Sequence, residues 1–113
     1  MKFDMAKKYK VIITPQARQH LTAIRDYILF ELKSPTAAGN TLSVLKKAVE
    51  SLEQMPERIP FTDEEKWRER GVHRMPVKNY LIYFTVNKED TEVYIFAILY
   101  ARRDQIKVLN ELE

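Results

Sequence analysis

The side chains of this sequence that are best suited to chemistry are basic, and they lie in its C-terminal half. The set comprises Arg68, Arg70, His73, Arg74, Lys78, Arg102 and Arg103. Such a set suits an anionic partner, either a phosphodiester or the carboxylates of an acidic protein. The alternative is a group of solubilising charges at strand ends, since charge clusters are commonly plain surface.

Other motifs that carry chemistry are missing from the sequence. Gly39 and Gly71 are the only glycines, so there is no glycine-rich loop for a nucleotide. The two histidines, His20 and His73, lack metal-ligand spacing, and the chain has no cysteine. An acidic run at residues 63–65 has no placed partner and is typical of a solvated surface. We therefore expect no metal site and no cofactor.

Two long apolar runs form the centre of the predicted fold. Residues 80–86 and 93–100 are aromatic or β-branched nearly throughout, and a polar connection of hairpin length separates them. Neither run alternates with polar residues, which predicts strands that are covered on both faces. Residues 71–77 predict a further strand, and Pro76 places it at a sheet edge because proline cannot donate to a ladder.

A short strand and two helices precede these runs. Residues 9–13 predict the strand, and Thr14-Pro15 and Ser34-Pro35 each supply an N-cap hydroxyl followed by proline. Apolar residues spaced by three or four give each helix a core face. They are Ala17, Leu21, Ile24, Ile28 and Leu32 on the first helix and Ala38, Leu42, Leu45, Val49, Leu52 and Met55 on the second. The very short link predicts an antiparallel helical hairpin.

These elements define an α+β fold with the order β-α-α-β-β-β-α, ending in a short helix over residues 104–113. A small, mostly antiparallel sheet packs against the N-terminal helical hairpin. In the antiparallel meander, the end of its first strand lies beside the end of its last strand. Five of the candidate residues are therefore expected to cluster at that end of the sheet. They are Arg74, Lys78, Tyr100, Arg102 and Arg103.

The composition predicts one ordinary folded domain over residues 1–113. Charged residues make up 31% of the chain and hydrophobic residues 45%, and the formal net charge is +3. This mild basic excess is weak evidence for a nucleic-acid partner. The N-terminus does not resemble a signal peptide, and no apolar run approaches the length of a membrane span. We expect a cytoplasmic protein without a membrane partner.

The sequence resembles the RelE/ParE superfamily of bacterial toxins from type II toxin–antitoxin modules. Residues 11–17, 71–80, 80–83 and 98–104 carry the resemblance, which spans nearly the whole chain. It implies the α+β fold given above, a toxin that arrests growth, a role in plasmid stabilization, and a cognate antitoxin as partner.

The resemblance implies one of two targets. RelE-like members are ribosome-dependent endoribonucleases that cut mRNA, and Arg74 and Arg103 fall where these members place cations that stabilise the transition state. Tyr100 and His73 are further acid–base candidates for such a reaction. ParE-like members share the fold but inhibit DNA gyrase without enzymatic activity of their own.

Two leucines favour the gyrase target. Leu81 stands where ribonucleolytic members often have arginine, and Leu109 occupies the place of their C-terminal acid or base. The ending at residues 102–104 is also closer to ParE-like members. For either target, the residues expected to contact the target or the antitoxin are Arg70, Arg74, Lys78, Tyr100, Arg102 and Arg103. The non-toxin alternative is a basic module that only binds an acidic peptide.

Overall fold

A four-stranded sheet with the order β1-β4-β3-β2 forms the centre of the molecule. The computed structural model describes residues 8–102 and 109–110. The strands are β1 (Lys10–Ile13), β2 (His73–Val77), β3 (Tyr80–Asn87) and β4 (Glu92–Tyr100). Strands β2, β3 and β4 form an antiparallel meander, and β1 pairs in parallel with β4. The edge position predicted for the strand that contains Pro76 is confirmed.

Two helices, α1 (Pro15–Asp26) and α2 (Pro35–Glu50), form the predicted hairpin. Both predicted caps are present, because the hydroxyls of Thr14 and Ser34 accept hydrogen bonds from backbone N–H groups three residues later. The third helix, α3 (Glu65–Glu69), precedes β2. The predicted terminal helix lies mostly outside the described residues. Residues 109 and 110 are the described part of it, and both are helical.

A π-helical turn, Tyr27–Glu31, follows α1 and changes which side chains face the core. The sequence pattern places Ile28 and Leu32 on one core face, but Leu32 is 57% exposed while Ile28 is buried. The prediction for Leu32 is wrong because the wider π-helical turn shifts the later residues out of the α-helical stripe. Three large apolar side chains are therefore exposed at the tip of the hairpin: Tyr27, Phe30 and Leu32.

The end of α2 also departs from the predicted pattern. After Glu50 the chain tightens into a 3₁₀ turn, Ser51–Glu53, which keeps Leu52 fully buried. Met55 is 65% exposed, with a φ of +46°. Its assignment to the core face is wrong, because the residue before a proline avoids the α-helical region and the helix ends earlier. A second 3₁₀ turn, Pro56–Arg58, follows.

The sheet is buried on both faces, as the two apolar runs predict. On the helix-side face, Ile82, Phe84, Ile95 and Ile98 pack with residues of α1 and α2. On the opposite face, which we call the second face, a separate core contains Trp67, Val72, Leu81, Tyr83, Ala97, Leu99 and Leu109. Trp67 is only 6% exposed and anchors the segment before β2 in this second core.

Candidate functional site

An open cleft lies between the helical hairpin and one end of the sheet. Its volume is about 850 Å³, and it is lined by α1 and the π-helical turn, by α2, and by the strand ends with the β2–β3 turn. We call it the hairpin cleft. Its polar and aromatic lining residues include Tyr27, Asn40, Thr41, Lys78, Tyr80 and Tyr100. Sites of about 300–1,000 Å³ with a few polar groups in an apolar wall are typical of ligand and partner binding.

Three tyrosines converge in the hairpin cleft. The rings of Tyr80 and Tyr100 meet edge to face, with centroids 5.7 Å apart. Burial raises the pKa of the Tyr80 phenol, and the neighbouring phenols of Tyr100 and Tyr27 raise it further. Tyr80 therefore keeps its proton at neutral pH, and its hydroxyl can donate a hydrogen bond into the hairpin cleft.

Lys78 lies in the two-residue turn between β2 and β3. Its φ is +55°, a left-handed conformation that glycine adopts without strain and lysine does not. The next residue, Asn79, uses its C=O to accept a hydrogen bond of 2.7 Å from the N–H of Ala101. This bond ties the turn to the end of β4. The ladder therefore holds Lys78 beside Tyr100, and both residues line the hairpin cleft.

The proximity of Lys78 and Tyr100 agrees with the order of the meander. Arg102 follows β4 in an exposed turn. Arg103, the second cation predicted here, lies outside the described residues.

Arg74 lies away from Lys78, contrary to the expected cluster. Arg70, which was expected to contact the target or the antitoxin but was not part of that cluster, also lies elsewhere. Arg74 points to the second face, where it forms an ion pair of 3.5 Å with Asp63. It also contacts the Tyr83 phenol, whose pKa is raised by burial and lowered in part by Arg74. The guanidinium of Arg70 lies 5.0 Å from the ring centroid of Trp67. Strand alternation alone would put Lys78 on the same face as Arg74, four residues earlier, but β2 ends at Val77 and the left-handed turn at Lys78 breaks the alternation.

The surface around α3 carries charges of both signs. Its residues are Asp63, Glu64, Glu65, Lys66, Arg68, Glu69, Arg70 and Arg74. Four acidic and four basic side chains cancel formally, so this surface does not form the basic patch that the cations alone suggest. The hairpin cleft differs, because Lys78 is the single residue with a full charge among its described lining residues.

His73 is a buried residue of the core rather than a surface acid or base. It is 5% exposed and is stacked between Phe61 and Phe84, with ring centroids 4.3 and 5.0 Å away. Its Nδ1 lies 2.7 Å from the C=O of Ile59, an acceptor that requires the proton on this nitrogen. A ring enclosed in this way has no access to a substrate, which argues against the acid–base role considered for it.

Within the described part of the chain, no group of three or more His, Cys, Asp or Glu side chains is placed to hold a metal ion. Each helix in that part is too short or too polar to cross a bilayer.

The helical wall of the hairpin cleft is the part of the site that the sequence pattern misses. The pattern gives no role to Tyr27 or Asn40, and it assigns Leu32 to the core. One signal was available: Tyr27 and Phe30 are large aromatic residues that lie off the apolar stripe of the first helix. Aromatic residues outside a core face indicate a binding surface more often than charged ones do.

Comparison with known proteins identifies the family. A family model described as the ParE toxin of the type II toxin-antitoxin system, parDE, matches residues 11–105. The chain belongs to the ParE toxin family. The resemblance to RelE/ParE toxins is therefore confirmed, and membership of this family implies a cognate antitoxin.

Solved structures of related toxins share the fold of this ParE-family chain. A chain of the chromosomal ParDE system from Pseudomonas aeruginosa matches with a TM-score of 0.70 and 20% identity, covering 86% of this chain and 100% of that chain. A chain of the RelBE2 toxin–antitoxin complex of Mycobacterium tuberculosis matches with a TM-score of 0.60 and 20% identity. The match covers 87% of this chain and 97% of that chain. A mutant Escherichia coli RelE toxin in the free state matches with a TM-score of 0.60 and 12% identity. The match covers 94% of this chain and 99% of that chain. No curated protein sequence matches significantly.

Proposed function

We propose that this ParE-family toxin arrests bacterial growth by inhibiting DNA gyrase, and that its cognate antitoxin neutralises it. The family match makes the chain a type II toxin. What we propose is that the target is gyrase rather than the ribosome. The support comes from the residues at the two positions where, by resemblance, an mRNA-cleaving toxin has an arginine and an acid or base.

The burial of two leucines carries the proposal. Leu81 and Leu109 occupy the positions where RelE-like members, by resemblance, place an arginine and an acid or base. They are 9% and 1% exposed, and both pack in the core of the second face. A leucine in an apolar core neither binds a phosphodiester nor transfers a proton. Arg74, the described cation that remains for such a reaction, is paired with Asp63. This surface supports a toxin that acts by binding.

Two assays with purified protein separate the two targets. In the first, the toxin is added to gyrase acting on relaxed plasmid, and supercoiling and cleaved DNA are measured. In the second, it is added to ribosomes translating a defined mRNA, and cut sites are mapped. We expect loss of supercoiling and intact mRNA, with full recovery when antitoxin is added. Codon-specific cuts in the mRNA, or unaffected supercoiling, would overturn the proposal.

Substitution of the family cations provides the matching test of mechanism. If gyrase is the target, Arg74→Ala should change its inhibition little, while Arg103→Ala should weaken binding to gyrase. A ribonuclease would instead lose cleavage by on the order of a hundredfold when either cation is removed, the effect of deleting one preorganised donor. Titrating each variant against both assays distinguishes these results, and circular dichroism checks that each variant is folded.

A further inference from the structure

The two edges of the sheet differ in how well they are protected, and β2 is the protected one. The segment before α3 covers this strand, because the N–H of Arg74 donates to the C=O of Pro60 over 3.3 Å. Further along β2, Pro76 has no N–H to offer a neighbouring strand. Covering segments and edge prolines are both typical of edges that do not pair with another chain.

The opposite edge, β1, keeps backbone groups that point away from the sheet. The N–H groups of Lys10 and Thr14 donate toward β4. Because successive backbone groups of a strand alternate between its two sides, Val11 and Ile13 direct their N–H and C=O groups outward. Within the described part of the chain, no hydrogen bond uses these outward groups. The edge is therefore ready to accept a further strand.

A groove of about 470 Å³ opens beside this edge, between β1, α1, α2 and the first 3₁₀ turn. We call it the β1 groove. Its charged side chains, two basic and two acidic, are Arg25, Lys46, Glu50 and Glu53. Its apolar lining consists of Val11, Ile13, Leu21, Leu42, Leu45 and Val49. An apolar groove with a charged rim beside an open sheet edge is typical of a protein-binding surface.

The charges of the β1 groove are ordered along it. Glu53 lies at the start of β1, because its C=O accepts a hydrogen bond of 2.8 Å from the N–H of Tyr9. Lys46 and Glu50 are about one turn apart on α2, and Glu50 is the nearer of the two to this acidic end. Both are exposed, and neither forms an ion pair with another described residue. A partner whose charges run in the opposite order would complement them.

We propose that the β1 groove binds a second copy of this chain, through antiparallel pairing of the two β1 strands about a two-fold axis. In such an interface the same patch is used by both subunits, so opposite ends of the groove meet. Lys46 of each subunit then faces Glu50 of the other. The outward groups of Val11 and Ile13 pair with those of the second copy, and the two four-stranded sheets become continuous.

A second copy fits the β1 groove better than a peptide of one charge sign. Two basic and two acidic side chains cancel formally, so neither a wholly acidic nor a wholly basic segment is complemented along its length. A second copy supplies both signs in reverse order. The net charge of +3 opposes this contact only weakly at physiological ionic strength, because charges are screened beyond about 8 Å.

Charge reversal tests the order of the charges. Lys46→Glu places like charges at both symmetric contacts and should weaken dimerisation by about tenfold or more, and so should Glu50→Lys. The double variant Lys46→Glu, Glu50→Lys restores opposite charges and should recover most of the affinity, as should an equimolar mixture of the two single variants. Sedimentation velocity of the purified toxin over a range of concentrations measures the equilibrium.

Lys47→Glu is the matched control for these variants. Lys47 is the exposed neighbour of Lys46 on α2 and does not line the β1 groove. The substitution changes the net charge by the same amount as Lys46→Glu. We expect it to change the dimer affinity by less than about twofold, since an exposed charge outside the contact contributes little.

Val11→Pro tests the pairing of the strands. Proline removes the outward N–H and leaves the hydrogen bonds to β4 in place, so the variant should unfold cooperatively. We expect its dimer to be weaker than that of the wild type by about tenfold or more, because one N–H is lost at each of two symmetric positions. Val11→Ala also shortens the side chain but keeps the N–H, and it should weaken the dimer by less than about threefold.

Three results would overturn the proposal. The first is a wild-type toxin that stays monomeric at every concentration at which it is soluble. The second is a dimer that the single reversals at Lys46 and Glu50 leave unchanged, which would place the contact on another surface. The third is equal weakening by Val11→Pro and Val11→Ala, which would exclude strand pairing. The proposal concerns the toxin alone, so the gyrase and mRNA assays decide the target separately from all of these results.

Discussion

Left-handed backbone conformations show which individual residues carry a structural cost. Among the described residues, four non-glycine positions have positive φ: Lys33, Met55, Lys78 and Thr91. Each such conformation costs about 1–3 kcal/mol. Lys78 lies in the two-residue β2–β3 turn, and two-residue hairpin turns require a positive φ at one or both central residues. Thr91 lies in the β3–β4 turn, where its hydroxyl donates an exposed hydrogen bond of 2.7 Å to the C=O of Asp90.

Thr91→Gly is expected to stabilise the protein by about 1 kcal/mol. The φ of Thr91 is +50°, which is particularly unfavourable for a β-branched residue, and this gain exceeds the entropy cost of glycine. The hydrogen bond from Lys10 to the backbone C=O of Thr91 is unaffected by the change. Denaturant unfolding measures the difference. Thr91→Ala retains the strained backbone and is the control; a glycine variant less stable than the alanine variant would contradict the prediction.

Ile82→Asp tests the burial of the sheet centre. Ile82 has no exposed surface and packs in the helix-side core, so an aspartate there is an unpaired charge without water. The cost is several kcal/mol, comparable with the total stability of a small domain, and we expect an unfolded chain. Thr85→Asp, at a half-buried position of the same strand, should stay folded. A cooperative thermal transition near that of the wild type for Ile82→Asp would refute the burial.

Among the secondary-structure elements, the two helices of the hairpin depend on their caps. Thr14→Ala and Ser34→Ala each remove the side-chain acceptor that binds the N–H of Ala17 or Ala37. Each change should cost about 1 kcal/mol in denaturant unfolding. Thr14→Ser keeps an acceptor and should recover most of that loss. Equal stabilities for Thr14→Ala and Thr14→Ser would show that the cap does not hold α1.

A β-bulge in β4 sets the direction of the residues that reach the hairpin cleft. Tyr83 pairs with Ala97 and Phe84 with Ile95, so Phe96 is an extra residue between them. Its ring stacks near Trp67 on the second face, with centroids 6.3 Å apart. Without this extra residue, strict alternation from Ile95 would direct Tyr100 to the second face. The bulge therefore places Tyr100 beside Tyr80.

At the scale of the whole molecule, stability should fall as pH rises above about 10. Burial raises the pKa of both Tyr80 and Tyr83 from the ordinary value of 10.0. The folded state then binds these protons more tightly than the unfolded state, so the free energy of unfolding decreases once the unfolded phenols ionise. Unfolding curves at pH 7 and above pH 10 measure the slope. The double variant Tyr80→Phe, Tyr83→Phe should show a shallower slope than the wild type, and an unchanged slope would contradict this prediction.

The net charge of +3 should also control how fast the toxin meets an acidic antitoxin. Raising the salt concentration screens the long-range attraction, so association should slow more than dissociation accelerates. Stopped-flow mixing at several ionic strengths measures both rates. An association rate that does not respond to salt would indicate that the antitoxin recognises the apolar surface alone.

The sequence by itself determined the elements and the proximity of Lys78 to Tyr100. Cap residues, apolar runs and Pro76 act through local preferences, and the order of a meander decides which strand ends meet. The family resemblance rests on the same segments, because they are linear patterns.

The tertiary structure alone decided where the hairpin cleft lies and which of the described cations line it. The π-helical turn and the bulge at Phe96 each change the side-chain direction by an extra residue, which a fixed periodicity does not reveal. The ion pair of Arg74 with Asp63 and the stacking of His73 join residues that are distant in the chain, so no local spacing predicts them. The hairpin cleft exists because the exposed end of the hairpin and the end of the sheet do not close on each other, and only the packing of the two layers determines that gap.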